Sequence, residues 1–251
     1  MFKENLLDKY KSAKNKLILL DYDGTLSHYT AFPEKARPTP QLLTILSKLI
    51  HKSHTKVIII SGREHFDIQK ILGQLPVDMV AGHGEISRVN GVWTEQFVNH
   101  ASWKNMLRSF MNRITLSCPN SFIEEKQNSL TWHYRNVSSG SGYYYSRKLI
   151  RLMEPVIHSF NLKILDGNKV VEVMPNEIGK GKAVKKIIEQ NDYDFILSIG
   201  DDKTDEEMFE TLLSNTEAIT IKVGKGSTFA KYKLKNVDEV LMLLEQLSAY
   251  D

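Results

Sequence analysis

Residues Leu17 to Leu26 read LILLDYDGTL, an apolar run that stops at two aspartates separated by one residue and followed by a glycine. Consecutive large apolar side chains suit a strand buried on both faces, as in a parallel sheet. Residues i and i+2 of extended backbone face the same way, so Asp21 and Asp23 can converge on one ligand while Gly24 turns the chain aside. Alone, Asp-Tyr-Asp-Gly reads equally well as a turn after a buried strand, since Asp and Gly dominate turns. Chemically, one carboxylate can attack phosphorus while a second protonates the departing oxygen and then deprotonates a water. Asp21 suits the first role and Asp23 the second.

Outward from this stretch, Val57 to Ile60, Phe195 to Ile199 and Ile219 to Val223 are further short apolar runs that end at Ser or Gly. Helical periodicity separates them. Thr39-Pro40 reads as N-cap and first residue of a helix burying Leu42, Ile45, Leu46 and Leu49, and Val237, Val240, Leu241, Leu244 and Leu247 repeat the spacing. Alternating strands and helices predict a doubly wound, Rossmann-like parallel sheet with its ligands at the carboxyl ends of the strands. From about Ala101 to Met174 the pattern changes to helix, strand pair (Ser121 to Glu125, Ser129 to Arg135), helix (Tyr143 to Phe160), strand pair (Asn161 to Leu165, Val170 to Met174). It predicts an inserted α+β domain at 101–174 between core segments 1–100 and 175–251. Ser138-Ser139-Gly140-Ser141-Gly142 is expected to be a turn, and Asp166-Gly167-Asn168 a hairpin turn.

Ile199-Gly200-Asp201-Asp202 repeats the placing of acids after an apolar strand, and Thr204 to Glu207 (TDEE) resembles a capping box. Asp201, Asp202 and Asp205 would then share a sheet edge with Asp21. Hard oxygen ligands from two strand ends suit magnesium. A helix N-terminus acidic for its dipole accounts for Asp205 and Glu206, and less well for Asp201 and Asp202. Ser61, opening Ser61-Gly62-Arg63 after VIII, offers a hydroxyl and amides to a phosphoryl oxygen, and Lys180 offers a compensating charge.

The 33 basic and 30 acidic residues give a net charge of +3, spread too evenly for a nucleic-acid footprint. Cys118 is the single cysteine, so neither an internal disulfide nor a soft-ligand zinc site is available, and a reducing, cytoplasmic setting fits. No apolar run approaches the roughly 20 residues that cross a bilayer. Gly224-Lys225-Gly226 has Phe229 where a dinucleotide fingerprint needs its third glycine, Gly181-Lys182 precedes Ala183 rather than Ser or Thr, and the histidines form no i, i+4 metal pair.

In order, DYDGT, Ser61, Lys180 and GDD resemble the four motifs of the haloacid dehalogenase superfamily of phosphotransferases. The resemblance implies Asp21 as nucleophile, Asp23 as acid and base, Ser61 and Lys180 on the phosphoryl group with Gly62 and Arg63 beside them, and Asp21, Asp23 and Asp201 around magnesium, with Asp202 and Asp205 behind. It also implies that the inserted domain is an αββαββ cap. Phe122 to Arg135 (FIEEKQNSLTWHYR), Gly167 to Pro175 (GNKVVEVMP), Gly181 to Val184 and Gly200 to Phe209 (GDDKTDEEMF) narrow the resemblance to trehalose-6-phosphate phosphatases, over about Tyr10 to Leu244. That family implies a sugar phosphate substrate and contacts to its hydroxyls from Glu124, Lys126, Arg135 and Glu172. Carboxylates accept from hydroxyls and Lys or Arg donate to them, although an exposed ion pair on a strand would look the same.

Where the family often has Ala-Glu-His-Gly, this chain has Ala81-Gly82-His83-Gly84, and Glu85 is the candidate substitute for the missing acid. His83 reads either as a substrate contact or as a satisfied buried histidine. The lead-in DKYKSAKNK resembles the join behind a trehalose-6-phosphate synthase domain, so a synthase, fused or separate, is the expected partner of a chain otherwise expected to be monomeric and free of nucleic acid and membrane. A phosphatase for another sugar phosphate (sucrose-6-phosphate or a mannosyl phosphate) and a phosphorylatable or inactive regulatory domain remain open alternatives.

Overall fold

Each apolar run forms a strand in the computed structural model, which describes residues 2–30, 36–96 and 102–250. The first unit, Met1–Gln96 with Gly179–Asp251, contains α1 (Phe2–Ser12), β1 (Lys16–Leu20), α2 (Pro40–Ile50), β2 (Thr55–Ile60), α3 (His65–Leu72), β3 (Asp78–Ala81), β4 (Ile86–Val89) and β5 (Val92–Glu95). The second, Phe97–Ile178, contains α4 (Ser102–Ser117), β6 (Phe122–Glu125), β7 (Leu130–His133), α5 (Ser139–Ser159), β8 (Leu162–Gly167) and β9 (Val170–Pro175). The chain then returns to the first unit as α6 (Lys180–Gln190), β10 (Phe195–Gly200), α7 (Lys203–Thr211), β11 (Ala218–Val223), β12 (Tyr232–Leu234) and α8 (Val237–Ala249). The expected boundary at residues 100 and 101 lies outside the described residues.

The first unit is an eight-stranded sheet of order β12-β11-β10-β1-β2-β3-β4-β5, parallel from β12 to β3. Alternation along β1 divides the core. Ile18 and Leu20 join the cluster of α1, α2, α3 and α8, whereas Leu17 and Leu19 join Val184, Met208 and Phe209 from α6 and α7. Helix α2 begins as its sequence dictates, with the Thr39 hydroxyl accepting from Leu42 N, Pro40 next, and Leu42, Ile45, Leu46 and Leu49 buried. From β1 the chain goes on to β2 on one side, and from β10 on the other side it goes on to β11, away from β1, so the crevice at the carboxyl ends of β1 and β10 is a topological switch point. The antiparallel β4–β5 extension was not read from the sequence. Its signal is Asn90-Gly91, a two-residue turn with φ of 51° and 84° at the two positions.

In the second unit the four strands run β6-β7-β9-β8, all antiparallel. Leu130, Trp132, Val171 and Val173 pack with Leu107 and Met111 of α4 and Leu149 and Met153 of α5. Two local expectations are corrected. Ser139 to Gly142 form the first turn of α5 rather than a free turn, with Gly142 N donating to Ser138 O at 2.9 Å; a Cβ on Gly142 would stand 2.7 Å from the Tyr134 ring, so the glycine is there for packing. The β8–β9 turn is Asn168-Lys169, because Gly167 still pairs with Val170. No helix among the described residues is long and apolar enough to cross a membrane.

Leu46→Ala, at a fully buried site, should lower unfolding free energy by about 2–5 kcal/mol, whereas Thr44→Ala on the exposed side of the same helix should stay within about 0.5 kcal/mol. Urea unfolding followed by tryptophan fluorescence and circular dichroism checks the contrast, and equal effects would refute the assigned helix face.

Candidate active site

Three adjacent strands deliver the reactive groups: Asp21 follows β1, Ser61 follows β2 and Asp201 follows β10. Asp21 N continues the ladder by donating to Ile199 O at 3.0 Å. Gly24, at φ 82°, closes the turn by donating to Ser27 O at 2.7 Å. A Cβ at Gly24 would stand 2.4 Å from the Asp201 carboxylate, so only glycine allows this approach.

Lys180, at the start of α6, is buried and its Nζ donates to Asp21 Oδ1 and to Asp205 Oδ1, each at 2.7 Å. Asp205 Oδ2 accepts from Asp201 N (2.8 Å) and Asp202 N (3.0 Å). The cap of α7 is Asp202, which accepts from Thr204 N and Asp205 N, with Asp205 as its reciprocal third residue. The box expected at Thr204 to Glu207 is therefore corrected, because Thr204 lies inside the helix and its hydroxyl donates to Asp202 at 2.6 Å.

Asp21, Asp201 and Asp205 each bring a carboxylate oxygen within 4.8 Å of the others. Burial first, then repulsion from Asp205, pushes the Asp21 carboxyl well above its ordinary value despite Lys180. Burial together with Asp202 and Asp205 pushes Asp201 up to about 7. Burial opposes the Lys180 charge, but Asp205 and Asp21 outweigh it and hold the ammonium protonated. Asp21 Oδ2 and Asp201 Oδ1 are buried without a hydrogen-bond partner. Two orphaned carboxylate oxygens on converging strand ends fit a hard divalent cation, whose charge would offset the repulsion. Asp205 is less suited to direct contact, since its oxygens already serve Lys180 and two backbone amides.

Asp23 does not join this cluster. Its carboxylate is forked by Arg63, with Nε to Oδ2 at 2.6 Å and Nη2 to Oδ1 at 2.7 Å, a strong bidentate geometry. The structure thus pairs with each other two residues that the sequence assigned to metal and substrate. Ser61 is buried and its Oγ accepts from Arg63 N at 3.1 Å. His83, at φ 57°, donates its N–H to Ser61 O at 3.0 Å and lays its ring over Gly62. The Glu85 carboxylate folds back over Gly82, where a Cβ would stand 2.7 Å from its Oε2.

In the second unit Glu172 is buried and accepts from Ser129 Oγ at 2.6 Å and Lys126 Nζ at 3.2 Å. Glu124 sits across β7 on the same face, with Thr131 between the two acids in the register. Arg135 lies at the other end of β7, where its guanidinium donates to Asn168 O at 3.4 Å. Sequence reasoning missed three residues. Ser129 holds Glu172, buried Lys104 donates to the carbonyls of Lys126 and Gln127, and buried Lys222 donates to Asp201 O beside Glu206. A lysine within the apolar run Ala218 to Val223 was a readable signal; the other two had none.

Paired acids, a serine, a lysine and a second acid pair thus meet at one sheet switch point. A haloacid dehalogenase-like hydrolase from B. subtilis shares the fold at 15% identity, with a TM-score of 0.63 over 92% of this chain and 99% of that one. The trehalose-phosphatase family model matches residues 19–238, and the chain belongs to that family. It is 41% identical over 251 residues to alpha,alpha-trehalose-phosphate synthase [UDP-forming] B of Dictyostelium discoideum, covering 98% of this chain and 32% of that protein. A bifunctional trehalose-6-phosphate synthase/phosphatase of Thermoproteus tenax is 38% identical over 246 residues, covering 96% of this chain and 33% of that protein. The chain thus spans about a third of the length of these curated relatives. The C-terminal domain of C. albicans trehalose-6-phosphate phosphatase superposes with a TM-score of 0.92 at 28% identity, covering 100% of this chain and 98% of that one.

Magnesium should raise the thermal unfolding midpoint, by the equivalent of about 2.7 kcal/mol at a hundredfold excess over its dissociation constant. Asp201→Asn should stabilise the metal-free protein by removing a repelling charge and should abolish most of the magnesium shift. Calorimetry with and without magnesium checks this; an undiminished shift in the variant would place the cation elsewhere.

Proposed function

We propose that this chain is a magnesium-dependent phosphatase that hydrolyses trehalose-6-phosphate to trehalose and phosphate, the last step of trehalose biosynthesis. The observation that carries the chemistry is Asp21, buried, with one oxygen on Lys180 and the other unpartnered. Family membership supports the substrate. Asp21 attacks phosphorus, and the bond to the sugar oxygen breaks as Asp23 passes that oxygen a proton. Asp23 then takes a proton from water, whose oxygen attacks the aspartyl-phosphate, releases phosphate and restores the Asp21 carboxylate. Lys180 and the Ser61 loop hold the phosphoryl oxygens, while Arg63 acts through Asp23, whose carboxylate it orients. Bound magnesium, held by Asp21 and Asp201, supplies charge neutralisation for the phosphoryl oxygens. Glu124, Lys126, Glu172 and Arg135 hold the sugar hydroxyls. A trehalose-6-phosphate synthase is the partner this reading favours, supported by the bifunctional description of the T. tenax relative.

A panel of phosphate esters tests the substrate. Phosphate should be released from trehalose-6-phosphate much faster than from glucose-6-phosphate or sucrose-6-phosphate, and comparable rates would sink the claim. Asp21→Asn should abolish release from all three. Arg63→Met should slow the first half-reaction with trehalose-6-phosphate by about 10²-fold or more, the scale of a misplaced proton donor. It should slow much less with p-nitrophenyl phosphate, whose leaving oxygen needs no proton. Rapid-quench kinetics separates the two, and equal losses would return Arg63 to phosphate binding.

A further inference from the structure

Strand alternation places Phe122, Glu124, Thr131 and His133 on one face of the β6–β7 pair, while Ile123, Leu130 and Trp132 face the helices. On that face His133 Nε2 lies 2.7 Å from Glu124 Oε2, a diagonal contact across the two strands. The Phe122 ring stacks on the imidazole with centroids 4.5 Å apart and planes inclined by 9°. The imidazole is therefore clamped between a flat ring and a carboxylate. The hydrogen bond from His133, helped by the charges of Lys126 and His133, outweighs burial and the repulsion of Glu172 and keeps the Glu124 carboxyl below its ordinary value.

We infer that His133 is a positioning residue for sugar recognition: through Nε2–H it fixes the Glu124 carboxylate so that its remaining acceptor positions face the hydroxyls of a hexose ring. Phe122 fixes His133 in turn. A carboxylate with one oxygen anchored has a single orientation to offer, and neighbouring hydroxyls are told apart by direction as much as by charge. This rests on the reading above, in which Glu124 holds the sugar.

The test is steady-state kinetics of His133→Ala, His133→Gln, Glu124→Ala and the His133→Ala/Glu124→Ala double variant, on trehalose-6-phosphate and on p-nitrophenyl phosphate. His133→Ala should raise KM for the sugar ester about tenfold or more, the scale of a lost hydrogen bond to a charged group, and leave the aryl ester within about twofold. His133→Gln, whose side-chain amide can donate from a similar place, should recover most of the loss. In the double variant His133→Ala should add nothing to Glu124→Ala, since both remove one interaction. Unchanged sugar KM in His133→Ala, additive losses in the double variant, or equal losses on both esters would overturn the inference. If Glu124→Ala itself spares the sugar ester, the reading of the sugar site fails and this inference with it. If Glu124→Ala harms it and His133→Ala does not, only the role of His133 fails.

Discussion

The Lys180 ammonium, 2.7 Å from both Asp21 and Asp205, is the contact on which the sheet edge depends. Three carboxylates within 4.8 Å at a buried strand end repel one another strongly, because the local dielectric is low and water is excluded. One fixed cation, delivered by the first residue of α6, lets Asp21 and Asp205 remain there together. Removing one partner of such a buried pair costs about 3–5 kcal/mol. Yet Lys180 reaches only one oxygen of Asp21, and its charge only partly offsets what raises the Asp201 carboxyl. Burial first and then mutual repulsion raise the Asp21 and Asp201 carboxyls, and a second, exchangeable cation would relieve the repulsion.

Two aspartates two residues apart thus acquire different chemistry from their neighbours alone. Asp21 is buried, held at one oxygen and unpartnered at the other, which suits its proposed role as nucleophile. Asp23 is more accessible and has both oxygens gripped by Arg63, which fixes the direction its proposed role as acid and base needs. The sequence motif is nearly symmetric about Tyr22; the asymmetry comes from α6 on one side and the loop after β2 on the other.

Much of this was legible in the sequence. Apolar runs ending at Asp, Ser or Gly point to β1, β2 and β10, and the order of the chemistry-bearing residues points to the edge they share. What escaped was whatever depends on long-range side-chain choice. Arg63 sits forty positions from Asp23, and nothing in either local sequence says that the guanidinium goes to a carboxylate rather than to a phosphate. TDEE looked like a capping box because Thr and Glu have the right spacing, but Asp202 and Asp205 have it too, and the pull of Lys180 on Asp205 settles the register. Ser139 to Gly142 reads as a turn because Ser and Gly cluster in loops and glycine weakens a helix interior; Gly142 is tolerated there because Tyr134 occupies the space its side chain would need.

The two units stabilise their polar residues by different means, and the difference bears on what each can change. In the first, the ionic network is buried and interlocked through Lys180, Asp205 and two backbone amides, so altering any member unsettles the others. In the second, Glu124 and His133 are joined by one partly exposed pair, with side chains 44% and 23% accessible. A pair of that exposure contributes little to stability by itself, so its value lies in direction rather than in energy. Residues that orient without holding the fold together can be exchanged one at a time. An interlocked edge of this kind can therefore stay constant while a sheet face of this kind changes residue by residue.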